Sequence, residues 1–179
     1  MTNKIRWITR TALCIALLVV MQLTTAPLGN TLITGSLVNM MLVISVIIMG
    51  LWSGIAVSFL SPIFASFLGI APPFPIIIPF IGLGNAALVV VWHLLAHKVI
   101  WKQNASYALA LVLGAFAKFI VLYIGVAVIL VPMVLQLPEP QASVISGIFS
   151  IPQLVTALAG GVIALCVLPV LKKAVFAKV

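Results

Sequence analysis

The chain has 179 residues, 65% of them hydrophobic and only 6% charged, with a formal charge of +8. No Asp, Glu, Lys or Arg occurs between Thr11 and His97. A soluble domain cannot expose that much apolar surface without aggregating, and the strict alternation of a membrane β-barrel is missing, so the chain reads as an all-α integral membrane protein. The positive charge belongs to loops facing anionic lipid rather than to nucleic-acid binding.

Lys4, Arg6 and Arg10 precede the first apolar run, Lys98 and Lys102 follow the fourth, and Lys172, Lys173 and Lys178 follow the last. Short basic loops stay on the cytoplasmic side. Basic clusters separated by even numbers of crossings predict six transmembrane helices with both termini cytoplasmic, in one domain over 1–179.

The first span is expected over Trp7–Ala26. Thr24-Thr25-Ala26 resembles a signal-peptide cleavage site, but Pro27 would follow the cut, so this segment is read as an uncleaved span. Ala12 and Ala16 form a flat strip that lets another helix approach closely. An outer loop, Pro27–Gly35, leads to a second span over Ser36–Met49, and Gly50–Gly54 reads as a tight inner turn with Trp52 as interfacial anchor. The third span, Ile55–Leu68, reaches only about 21 Å against a hydrocarbon core of roughly 30 Å, so spans two and three are not both expected to cross as straight rods.

Gly69–Pro75 carries Pro72, Pro73 and Pro75, a stiff apolar outer segment. The fourth span, Ile76–Ala96, contains Pro79, Gly82 and Gly84, which predict a kink or a close helix contact. His93 and His97 lie four apart near its inner end, a metal-binding spacing, but no carboxylate accompanies them and they read as interfacial polar residues. No metal or cofactor is expected. Cys14 and Cys166 read as small packing residues near the reducing side. The fifth span is expected over Ala105–Val131, with Ala110, Gly114 and Ala117 as a second small strip. An outer loop, Gln136–Ser143, holds Glu139, the single acidic residue. The sixth span is expected over Val144–Leu171, interrupted by Pro152 and Pro169.

Lys118 lies about 20 Å up the fifth span, where a cation costs several kcal/mol unless paired or hydrated. A water-filled cavity, an anionic ligand or a folded-in Glu139 would each satisfy it; the plainer alternative is snorkelling onto backbone carbonyls. Asn39, Asn85 and Gln153 project to similar depths in the outer half. Each must be hydrogen-bonded, either as glue between helices or, given the depth shared with Lys118, as lining of a pocket open to the outside. There is no nucleotide-binding loop and no intramembrane acid to bind a coupling ion. The chain reads as a binding subunit that draws its energy from elsewhere.

In order along the chain, Ala12 and Ala16, Gly50-Leu51-Trp52-Ser53-Gly54, Ser61-Pro62 through Pro72-Pro73, Gly82-Leu83-Gly84-Asn85 and Pro152–Ala157 with Gly160-Gly161 resemble the S components of energy-coupling factor (ECF) transporters, the bacterial vitamin importers. The resemblance covers essentially the whole chain. It implies a multi-pass protein of the bacterial plasma membrane that captures a vitamin from outside and delivers it with a membrane coupling subunit and two cytoplasmic ATPases. The chain itself would be no enzyme and the vitamin would be cargo, not cofactor. Ala12 and Ala16 would dock the coupling subunit, although Ile8 and Val20 stand where the family often extends the strip with alanine. Whole-chain resemblance favours cobalamin, whose apolar faces suit the segment Pro72–Phe80, with Pro73 and Phe74. Lys118 instead suits a carboxylate vitamin such as pantothenate. The ligand contacts expected are Lys118, Asn85, Gln153, Asn39, Pro73 and Phe74. A membrane scaffold and an independent secondary carrier are the rival classes.

Overall fold

A computed structural model describes residues 3–97 and 103–176. Lys98, Lys102, Lys178 and the side chain of His97 lie outside the described set. Among the described residues seven α-helices follow one another: α1 (Asn3–Thr25), α2 (Thr31–Met49), α3 (Leu51–Phe67), α4 (Ile78–His97), α5 (Gln103–Leu122), α6 (Gln141–Ile148) and α7 (Ile151–Phe176). No strand interrupts them among the described residues. Five helical stretches are long and apolar enough to cross a membrane, and α3, with 17 residues, is the shorter sixth. The protein is therefore an all-α membrane bundle.

Several boundaries differ from the sequence expectation. The first outer loop shrinks to a 3-10 turn (Ala26–Leu28) and two residues, because Asn30 caps α2 by accepting a hydrogen bond from the Leu32 N–H at 3.0 Å. The inner turn shrinks to Gly50 alone. Its φ of 90° is open to glycine and closed to most side chains, and the Gly54 N–H already returns to the Gly50 carbonyl. Consequently α3 spans about 26 Å rather than 21 Å. The fifth span does not stop at Pro132. It widens into π-helical turns over Tyr123–Leu135. The sixth span starts at Ile151, not Val144: α6 is a separate eight-residue outer helix, and Pro152 sits in the first turn of α7, where a missing N–H costs nothing.

Helix α2 packs on α1, α3, α4 and α7, and α4 packs on α2, α3 and α5. Leu42, Val43, Val57, Val89 and Trp92 are fully enclosed among them. A smaller outer cluster joins Ile77, Leu122, Val126, Leu130 and Phe149, where the π-helical turns meet α6. Gly160 sets the distance between α7 and α2: a methyl there would lie 2.7 Å from the Asn39 Cβ and would also strike the Ser36 carbonyl. Such small-residue contacts allow helices to meet where lipid gives no hydrophobic drive. Between the helix ends the outward faces are largely apolar, Leu13, Leu17 and Val20 of α1 among them, as expected for surfaces solvated by acyl chains.

Candidate ligand-binding site

Lys118 lies on the buried stripe of α5, with Ser106, Ala110, Gly114 and Leu122, and is 3% exposed. Its Nζ donates to Asn39 Oδ1 of α2 and to Asn85 Oδ1 of α4, both at 2.7 Å. An ammonium has three N–H donors and no acceptor, so both amides must turn their oxygens to it. The oxygens are held there from behind. Asn39 Nδ2 donates to the Gly35 carbonyl at 2.9 Å and to Thr156 Oγ1 at 3.3 Å. Asn85 Nδ2 donates to the Ser58 carbonyl at 3.3 Å.

That last bond originates in the sequence of α3. Pro62 stands inside the helix and has no N–H to return to the carbonyl four residues earlier, which is that of Ser58. In a membrane helix a carbonyl freed by proline must find another donor. Asn85 supplies it, and its oxygen is thereby aimed at Lys118.

The cation is held through two of its three N–H groups but not neutralised. Lys118 has no ion pair among the described residues, and Glu139 does not reach it. The site is the floor of a cavity of about 420 Å³. The mouth is formed by Gly29 and Asn30 after α1, by Leu68–Pro72 after α3 and by Phe149. These segments lie at the helix ends opposite those carrying Lys4, Arg6 and Arg10 on α1 and Lys172 and Lys173 on α7, so the cavity opens to the outside. The arrangement can receive a small anion: a net positive charge, rigidly caged, at the bottom of a largely apolar well.

Of the residues expected at the site, the fold brings Lys118, Asn39 and Asn85 into direct contact. Gln153 is on the cavity wall but is tied to the Ile148 carbonyl at 3.2 Å and does not touch the ammonium. Pro73 and Phe74 are placed elsewhere, in a groove of about 270 Å³ against Pro140, Gln141 and Val144. Ala12 and Ala16 are exposed on the face of α1 opposite its buried stripe of Thr11, Cys14, Leu18 and Gln22. Sequence reasoning missed Gln22 and Ser61, which also line the cavity, and Thr156, which braces Asn39. The 11, 14, 18, 22 spacing on α1 carried a signal for Gln22.

An α-helical membrane bundle with an outward-facing, cation-floored cavity defines a class, the membrane-embedded binding proteins. The sequence model of the family "ECF transporter, substrate-specific component" matches residues 6–172. The chain belongs to that family. No curated protein and no solved structure gives a significant match. Family membership makes the chain a multi-pass plasma-membrane protein, the substrate-binding and non-catalytic subunit of a transporter that works with an ECF membrane and ATPase module. It also sets aside the scaffold and the independent carrier.

Proposed function

We propose that the chain captures a small carboxylate-bearing vitamin or precursor, of the size and charge of pantothenate, from outside the cell. It delivers this cargo through a membrane coupling subunit driven by two ATPases that hydrolyse the ATP. The observation carrying the reading is the Lys118 ammonium, coordinated by two neutral amide oxygens and no acid at the base of a cavity. A carboxylate completing that coordination supplies the missing charge and one charge-assisted hydrogen bond, worth about 1.5–3 kcal/mol. Ala12 and Ala16, exposed on α1, are the coupling-subunit contacts in this proposal.

Cobalamin is the second reading. The apolar rim at Leu68, Ile70, Ala71 and Pro72 favours it. The volume counts against it, because drug-sized ligands alone fill cavities of about 300–1,000 Å³. A corrinoid would seat only an edge in the well.

The test is a titration of the full chain in nanodiscs against acidic vitamins, neutral vitamins and cobalamin. An acidic vitamin is expected to bind, and Lys118→Met to weaken it by about 10–150-fold while membrane insertion is retained. Binding confined to cobalamin or to neutral vitamins, or an affinity indifferent to Lys118→Met, overturns the carboxylate reading.

A further inference from the structure

Five buried polar side chains line the cavity: Gln22, Asn39, Ser61, Asn85 and Lys118. Asn39 and Asn85 are engaged with Lys118 and with backbone, and Lys118 spends two of its three N–H donors on them. Gln22 and Ser61 are not engaged. Gln22 is 4% exposed and Ser61 2% exposed, yet neither hydrogen-bonds to any described residue, and Gln22 Oε1 is enclosed without a partner. A buried carbonyl without a donor destabilises a protein, and inside a membrane no lipid atom relieves it.

Position separates the two groups. Gln22 is three residues from the outer end of α1, about 5 Å along the axis. Ser61 is six residues from the outer end of α3, about 9 Å. Asn39 is about 12 Å below the outer end of α2 and Asn85 about 10 Å below that of α4. Gln22 thus lies on the wall towards the mouth, and Ser61 at the edge of the charged floor. Rotating the carboxamide about its last bond exchanges the end that faces the cavity, so Gln22 offers a donor or an acceptor, as does the Ser61 hydroxyl.

We infer that Gln22 and Ser61 are the specificity-determining contacts of this cavity, and that its ligand bears, a few ångströms from its anionic group, a hydroxyl or amide that these two side chains read. The inference rests on the reading that Lys118 receives an anion, and it narrows the cargo to polar acids, excluding plain alkyl or aryl carboxylates. A site built to hydrogen-bond a ligand group rejects an analogue lacking it, because the site's own polar atoms are then left unpaired.

The test uses three probes of similar length on the full chain in nanodiscs: pantothenate, with carboxylate, amide and hydroxyls; N-pivaloyl-β-alanine, with carboxylate and amide; and heptanoate, with carboxylate alone. Binding is expected to strengthen with each added polar group. Gln22→Met and Ser61→Ala are each expected to cost the polar probes about fivefold to tenfold and to leave heptanoate unchanged, whereas Lys118→Met weakens all three. Heptanoate binding as well as pantothenate, or discrimination surviving in both wall variants, overturns the inference. A second readout needs no ligand. Gln22→Met replaces an unpartnered amide by an apolar chain of similar size, so the empty protein is expected to melt about 2–4 °C higher. A lower or unchanged midpoint means that Gln22 has a structural partner and overturns the inference whatever the probes do. If no acid binds but the midpoint rises, the anion reading fails while Gln22 stands as an unengaged wall group.

Discussion

Asn39→Asp tests whether the uncompensated charge of Lys118 recruits the ligand. The substitution places a carboxylate oxygen where a neutral one lies 2.7 Å from Nζ. At an effective dielectric of about 20, two unit charges at that distance attract by about 6 kcal/mol, and desolvation of the new carboxylate offsets much of this. A remainder of about 1.5–3 kcal/mol, the range of a charge-assisted hydrogen bond, competes with any incoming anion and weakens it by about 10–150-fold. Asn39 suits this better than Asn85. The second oxygen of the introduced carboxylate would face the Gly35 carbonyl, 2.9 Å from the amide nitrogen, but also Thr156 Oγ1 at 3.3 Å, a hydroxyl that can turn from the Gln153 carbonyl to donate. An acid in place of Asn85 would face the Ser58 carbonyl with no such hydroxyl bonded beside it. The assay is titration with an acidic vitamin that binds the parent, beside the thermal midpoint. Affinity is expected to fall while the midpoint holds or rises. Asn39→Leu is the control: it removes the acceptor without adding charge, so it costs stability more than it blocks the anion. Equal affinity losses in the two variants, with equal losses of midpoint, would show that geometry and not charge governs binding.

Pro62→Ala returns an N–H to the Ser58 carbonyl and loosens Asn85. Affinity is expected to fall about threefold to tenfold with the midpoint unchanged or higher, and the loss should largely disappear on an Asn85→Ala background. An undiminished loss on that background refutes the relay. Gly160→Ala is expected to cost about 1–3 kcal/mol by forcing α7 from α2, read as a lower thermal midpoint, while Gly147→Ala, with open space around it, changes nothing. Ala12→Trp or Ala16→Trp is expected to abolish co-purification with the coupling subunit and to leave ligand binding intact. Retained co-purification removes the docking assignment.

The membrane class and the order of the spans were legible because charge is so scarce. Once every basic residue except Lys118 falls at one set of predicted helix ends, the expected topology follows. Lys118, Asn39 and Asn85 were legible for the same reason: a cation and two amides inside apolar runs have few destinations other than one another. Boundaries were less legible where composition does not change. Val144–Ile148 is as apolar as the span behind it, so nothing in hydropathy marks α6 as a separate helix, and the π-helical turns after Leu122 leave no trace in an all-apolar run. Gln22 shares the 11, 14, 18, 22 stripe of α1, but near a helix end a polar residue reads as interfacial. Only the packing of α1 on α2 and α3 turns it into the cavity. Pro73 and Phe74 show the converse. Their position in a long outer segment made them natural lid residues, but the chain that reaches the cavity ends at Pro72.

The same contacts that hold the bundle together also fix the groups around Lys118. Gly160 lets α7 approach α2, and that approach brings Thr156 behind Asn39. Pro62 opens a carbonyl on α3 that fastens Asn85 of α4. Each amide oxygen is therefore aimed by a neighbouring helix rather than by a loop, and rotamer freedom is already spent before a ligand arrives. Binding to such a preorganised floor carries a small ordering cost. In the proposed reading a carboxylate takes up the third N–H of Lys118, whereas an acid built into the cage would have satisfied the same cation permanently. A lone lysine held by neutral amides is the arrangement that keeps a buried charge both tolerable to the fold and open to a cargo.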